Sequence, residues 1–377
     1  MTRYAWTVIG AGPAGIAAVG RLLDHGIAPE EVAWIDPEFA AGDLGGKWRA
    51  VPGNTHVASF LYYLTASPSF RFAESPHFEL EDIDPEETCP LGLVADPLVW
   101  ISQRLCERVA VFRTVATELS LRNRHWTVDT ERGEITSNNV ILAVGSVPKK
   151  LAYAGLDEIP LEVALDPRKL AQQQLEGATV AVFGSSHSSM IALPNLLANP
   201  VTKVINFYQS PLRYAVYLED WILFDDTGLK GKAARWAREN IDGVYPERLE
   251  RCSVRGPEFH EILQACDHVV YTVGFERRQL PLTPQWGPLE YNAHNGILAP
   301  GLFGIGIAFP EYRTDPLGFG QHRVGLQKFM ERLNDALPLW LRYDGGVTNP
   351  GQLKSVKPGR VQDDPAKTLG QLTGLAV

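Results

Sequence analysis

The sequence of 377 residues has no apolar run approaching the ~20 residues needed to cross a bilayer. No membrane partner is expected. Cations are in deficit: 35 Lys+Arg against 44 Asp+Glu give a formal charge of −9. A duplex-DNA binder needs a basic face to meet phosphates, so that class is set aside and no nucleic-acid partner is expected. Cysteine is scarce. Cys89, Cys106, Cys252 and Cys266 lie far apart and form no CxxC. That pattern fits neither a disulfide framework nor a zinc site, and no metal is expected. Nor does it fit a dithiol redox centre. No repeat of ~20–50 residues is visible, which excludes solenoids and propellers. The N-terminal MTRYAWTVIGAG enters a motif at once, leaving no room for a signal peptide. A cytoplasmic location is therefore expected.

What is present is an ordinary globular composition, 45% hydrophobic and 21% charged. At ~100–200 residues per domain the length suggests two domains, or one with a large insertion. A strand, a Gly/Ser-rich turn and a helix occur in that order at 6–23 and again at 178–197. Each unit is followed later by a strand ending near a glycine, VILAVGS at 140–146 and VVYTVGF at 269–275. A further apolar strand, 301–309, precedes a helix-like stretch at 324–337. This order predicts an α/β fold with two doubly wound Rossmann-like dinucleotide-binding domains, the second inserted in the first. The expected bounds are 1–150 with 286–345 for the first, 160–285 for the second, and an extended tail over 346–377. A linker is expected near 148–160.

The first turn carries Gly10, Gly12 and Gly15 in G-x-G-x-x-G, with Pro13 and Ala14 inside it. Gly10 permits the tight turn, Gly12 lets a pyrophosphate approach the backbone, and Gly15 lets helix and strand pack closely. Pro13 suits a first helical turn, where its missing N–H is not needed. The helix N-terminus offers partial positive charge to phosphates. A second strand, 32–35, ends in Asp36, at the ~20-residue spacing where a carboxylate meets a ribose hydroxyl.

Asp43-Leu44-Gly45-Gly46-Lys47-Trp48 follows, and Ala143-Val144-Gly145-Ser146-Val147-Pro148 stands after the strand at 140. GG-x-W after an N-terminal dinucleotide fold resembles the flavin-containing monooxygenases, the Baeyer–Villiger monooxygenases and the flavin-dependent amine N-hydroxylases. AVGSVP is similar to their ATG-x-x-P linker, with valine for threonine. Asn54-Thr55 resembles the Asn-Thr/Ser pair of flavin-containing monooxygenases. The resemblance implies that FAD occupies the first turn, that Gly46, Lys47 and Trp48 pass beside the flavin, and that Asn54 lies near the flavin carbon that carries a peroxide. Val115, Gly145 and Gly306 are assigned to the nucleotide sites with them. In a reading without the family, Asn54 caps a turn at 52–55.

The second turn, Gly184-Ser185-Ser186-His187-Ser188-Ser189, keeps only the first glycine. Ser186 and Ser189 are small enough for backbone approach, and their hydroxyls are candidates to meet phosphate, as is His187. The next strand ends in Tyr208-Gln209-Ser210 without an acid. An acid there would hold the ribose of NADH and repel the extra phosphate of NADPH, so NADPH is expected and NADH remains possible. Arg213 is the nearest candidate for the phosphate. Lys230, Lys232, Arg235 and Arg238 read as a solvated helix face. Residues 308–325 read as loop-like, with Asp315 and His322 in them, and the resemblance implies that they form the flavin and substrate wall. The acid usual after Gly306 is replaced by Ile307.

The resemblance implies an FAD-dependent, NAD(P)H-using monooxygenase, inserting one oxygen atom into a small-molecule substrate through a flavin peroxide. Two alternatives stay open. One is a flavoprotein reductase or dehydrogenase without a redox disulfide. The other is a non-catalytic FAD-binding protein.

Overall fold

The computed structural model describes residues 2–343. The tail expected at 346–377 lies outside the described residues. The first strand, Arg3–Ile9, is buried over its last four residues. One face of its sheet packs on helices, and the other on the strands at 116–130 and the segment at 280–309, so both faces are buried and apolar residues there need not alternate with polar ones. It pairs in parallel with Val32–Ile35 on one side and Gly133–Leu142 on the other. Ala110–Phe112 and Leu302–Gly304 extend the parallel array outward. Two further strands, Ala116–Arg122 and His125–Thr130, run antiparallel into Gly133–Leu142. The helix Pro13–Asp24 and the last helix, Leu326–Trp340, share one core through Ile16, Leu22, Met330, Leu333 and Leu337.

The chain then builds a second sheet in the order Asp157–Glu158, His268–Tyr271, Thr179–Phe183, Lys203–Tyr208, Leu249–Ser253, all parallel. It returns to the first sheet at Ile297–Ala299. The α/β architecture is thus two Rossmann-like parts, the second inserted in the first, as expected. The outgoing strand Ser146–Pro148 pairs antiparallel with the returning strand Phe275–Arg277. The two crossings between the sheets therefore satisfy each other's backbone groups, and the predicted linker begins as a strand.

Two local expectations are corrected. The stretch 301–309 is not one strand: pairing stops at Gly304, and Gly306 turns the chain at φ +85°. The segment 308–325 is not a plain loop. It holds an antiparallel hairpin, Glu311–Thr314 with Gly320–Arg323. Asp315 makes it: Oδ1 accepts the Leu317 and Phe319 N–H groups at 2.9 and 2.8 Å, and Gly318 supplies a positive φ. Beneath it the buried Glu311 carboxylate meets Arg323 at 3.1 Å and Arg332 at 3.3 Å.

Candidate active site

The three fingerprint glycines do different physical work. A Cβ at Gly10 would stand 2.3 Å from the Ala143 carbonyl oxygen, and one at Gly15 would stand 1.9 Å from the Gly10 oxygen. Both are glycine because the protein's own backbone closes on them. Gly12 has φ −74° and ψ 178°, a conformation any residue adopts. A Cβ there would meet only the Gly42 Cα, at 3.9 Å. Packing does not demand glycine at 12. The bare Cα keeps open the space before the first N–H groups of Pro13–Asp24, a cradle that fits a pyrophosphate. Ala14 borders the same region, because Gly306 approaches it so closely that an added Cβ would lie 2.6 Å from the Ala14 Cβ.

Asp36 closes the turn. Its Oδ2 accepts the Ala11 N–H at 2.8 Å, and its Oδ1 accepts Glu38 and Phe39 N–H groups at 2.9 and 2.7 Å. A carboxylate offers about four acceptor positions, so one remains for a ribose hydroxyl. Gly46 and Lys47 are exposed at the end of a short helix, Gly42–Gly46, where Lys47 pairs with Asp43 at 3.4 Å. Asp43 also accepts Arg278 at 2.6 Å, from beyond the returning crossover strand. Trp48 packs edge-on against Phe275 at 6.0 Å and joins the core of the second sheet. It is half-buried between the two parts. Gly145 adopts φ +75° with open space around it. Val115 is exposed just past Ala110–Phe112, with its carbonyl accepting Glu131 N–H at 3.3 Å.

Asn54 lies in an extended strand, Pro52–His56, that pairs with Thr88–Pro90. The turn-capping reading is thereby corrected. Its Oδ1 accepts the Thr55 hydroxyl at 3.3 Å.

The second turn repeats the first with serine. Gly184 adopts φ +123°, and a Cβ would stand 2.4 Å from the Thr272 oxygen. Ser189 is fully buried and its Oγ bonds Thr272 Oγ1 at 2.7 Å. That hydroxyl is spent inward, not offered to phosphate as expected. Ser186, exposed at the N-cap of His187–Leu197, leaves its hydroxyl free of any cap bond.

His187 brings this turn to the first site. Its ring lies against the carbonyl of Pro52, on the strand that carries Asn54. Burial, only partly opposed by the Pro52 carbonyl, and the nearby Lys230 charge lower its pKa from 6.5 to about 4. The imidazole is neutral at physiological pH, and its Nδ1 is buried without a partner. The unfolded chain protonates first as pH falls. The neutral ring's contribution is therefore full above about pH 6.5 and lost toward pH 4. At 1.36 kcal/mol per unit that amounts to about 3 kcal/mol. His187→Gln is expected to flatten the loss of stability across this window. Urea unfolding at several pH values checks it, and an unchanged slope would show that His187 is not the titrating group.

Lys230 is not on a solvated face. It is buried, and its ammonium pairs with Asp225. Asp225 also meets Lys328 at 2.5 Å, and Lys328 meets Asp226 at 2.7 Å. Burial pushes the Asp225 carboxyl up, but Lys328 and Lys230 outweigh it and hold the pKa below the ordinary value. This cluster ties the segment after Lys203–Tyr208 to the first turn of the last helix. Arg213 joins the same contact. Its guanidinium lies 4.7 Å from the Phe224 ring and 5.1 Å from Phe319, on the hairpin of the first part.

These features define an α/β protein with two Rossmann-like parts, each with a glycine-bearing turn between a strand and the helix that follows. Residues 7–147 match the FAD-NAD(P)-binding family. The chain is 32% identical to the monooxygenase AgnR1 of Paecilomyces divaricatus, over 90% of this chain and 98% of that protein. It therefore belongs to the flavoprotein monooxygenases, and its cofactors are FAD and NAD(P)H. The fold is also that of the ornithine N-hydroxylase of Kutzneria sp. 744, with a TM-score of 0.61 at 13% identity over 90% of this chain and 99% of that one. The flavin-containing monooxygenase of Stenotrophomonas maltophilia gives 0.60 at 16% identity over 91% and 99%.

Proposed function

We propose that this chain uses NADPH to reduce bound FAD and transfers one atom of oxygen to a small-molecule substrate in the cytoplasm. FAD is assigned to 1–150 with 286–345, and NADPH to 160–285. The observation that carries the reading is the contact of the second turn with the strand Pro52–His56 of the first part. His187, the first residue of the helix His187–Leu197, packs on Pro52, and a Cβ on Gly231 would lie 3.6 Å from the Gly53 oxygen. A nicotinamide held by the second turn would lie toward the strand that bears Asn54. When bound, the flavin accepts hydride and activates oxygen. The protein's share is positional. Gly12 and the helix behind it seat the pyrophosphate, and Asp36 the ribose. Trp48 and the hairpin at 311–323 would shield a bound flavin from water. Asn54 would offer its amide to the oxygen-reacting position of a bound flavin.

The cysteines favour an oxygenase over a disulfide reductase. All four are free, and burial raises the thiol pKa of Cys89 and Cys266 to about 11. Such thiols are poor nucleophiles. The test is direct. The purified protein is expected to be yellow and to bleach with NADPH under anaerobic conditions. In air, with a panel of amines, sulfides and ketones, an oxygenated product is expected. Bleaching with no product from any substrate would favour the reductase alternative, and no bleaching would favour the binding protein.

A further inference from the structure

A dinucleotide fold receives its nucleotide outside the carboxyl ends of the strands. In the second sheet Lys203–Tyr208 ends in Tyr208, followed by Gln209 and Ser210, with no cation at the strand end. Arg213 is committed to two phenyl rings, Phe224 and, on the hairpin, Phe319. A different guanidinium occupies the expected place. Arg251 is on the adjacent strand, Leu249–Ser253, in register with Asn206. Its Nε donates to Asn206 Oδ1 at 3.0 Å. The Asn206 amide in turn donates to the Gly184 carbonyl at 2.7 Å and to Val182 at 3.1 Å. Arg251 is thus keyed to the phosphate turn itself. Its guanidinium stacks over the Tyr208 ring at 4.3 Å, which fixes the plane.

One edge of that guanidinium is unused. Arg251 Nη2 is buried and has no hydrogen-bond partner. A buried charged donor without an acceptor is costly and calls for an explanation. Arg238 stands nearby, stacked on the Tyr214 ring at 4.4 Å, and the charges of both arginines reach the Tyr214 phenol. Asp242 accepts the Tyr214 hydroxyl at 2.6 Å. A phosphate monoester carries about −1.5 to −2 charge and three acceptor oxygens. It would supply the missing acceptor and balance the two cations.

We infer that Arg251, backed by Arg238, reads the 2′-phosphate of NADPH in this chain, in place of a cation at the end of Lys203–Tyr208. The inference rests on the NADPH reading above. It makes the discriminating residue one that holds the phosphate turn through Asn206, so selectivity and turn geometry are coupled.

The test is calorimetric binding of 2′,5′-ADP and 5′-AMP to the FAD-loaded enzyme. The wild type is expected to prefer 2′,5′-ADP. Arg251→Ala is expected to lose about tenfold or more in affinity for 2′,5′-ADP, the size of one charged hydrogen bond, while 5′-AMP is little affected. Arg251→Lys, which keeps the charge without the fork, should retain part of the preference. Arg213→Ala should keep all of it. Flavin content and melting temperature identify variants that fold poorly, and Arg251→Lys then carries the test. An intact preference in a folded Arg251→Ala, or its loss in Arg213→Ala, overturns the assignment. Equal weakening of both ligands also overturns it, reducing Arg251 to a support for the turn. Wild type that binds neither ligand, and is bleached by neither NADPH nor NADH, defeats the reading beneath it instead.

Discussion

Gly12→Val is expected to give a folded protein that has lost its flavin. The backbone at Gly12, φ −74°, accepts valine without strain. The nearest protein atom to an added Cβ is 3.9 Å away. The extra methyl groups therefore enter the ligand's space and not the protein's. Overpacking costs ~1–3 kcal/mol even where neighbours can shift, and a backbone-held pyrophosphate cannot shift, so affinity should fall roughly a hundredfold or more. Gly10→Ala and Gly15→Ala should behave differently. Their Cβ atoms would meet backbone oxygens at 2.3 and 1.9 Å, so they should lower stability even in the FAD-free protein. The ratio of flavin absorbance to protein absorbance, with circular dichroism of each variant, separates the two outcomes. Full flavin occupancy in folded Gly12→Val would remove the first turn as the FAD site.

Asn54→Ala is expected to divide oxygen chemistry from hydride delivery. Asn54 is half-buried on an extended strand, and its carbonyl oxygen accepts only the neighbouring Thr55 hydroxyl. Among the described residues its amide nitrogen has no acceptor, so it is available to a bound group. Removing one preorganised donor from developing negative charge costs roughly 10²–10³ in the assisted step. Anaerobic reduction by NADPH should be nearly unchanged. In air the variant should consume NADPH and release hydrogen peroxide in place of oxygenated product. Because Asn54 caps no turn, stability and flavin content should change little. An unchanged peroxide yield per NADPH in a flavin-loaded variant would shift the assignment to the reductase alternative.

The first dinucleotide turn was legible from the residues alone. Gly10, Gly12, Gly15 and Asp36 fall at spacings fixed by a strand, a turn and a helix, and those constraints are local. The same holds for the second turn at Gly184, and for the insertion of one Rossmann-like part in the other, which follows from the order of strands. Spacing assigned Gly12 to open space and Gly15 to close packing. That Ala143 closes on Gly10, and that Gly42 is the nearest neighbour of Gly12, depends on residues brought in from other elements.

Side chains whose partners are distant in the chain were decided by the tertiary structure. Ser189 turned its hydroxyl to Thr272 because the neighbouring strand presents one there. Lys230 looked solvated by its helix neighbours, yet Asp225 and the last helix enclose it. Arg213 was the nearest cation in sequence to the strand end, but Phe319 on the hairpin holds it elsewhere. Arg251 reaches that strand end instead, because parallel pairing sets it beside Asn206. Backbone pattern is written in local periodicity and glycine placement. The direction of a charged or hydroxyl side chain is set by whichever donor or acceptor folding brings within hydrogen-bonding distance, and for these residues those partners come from other strands and helices.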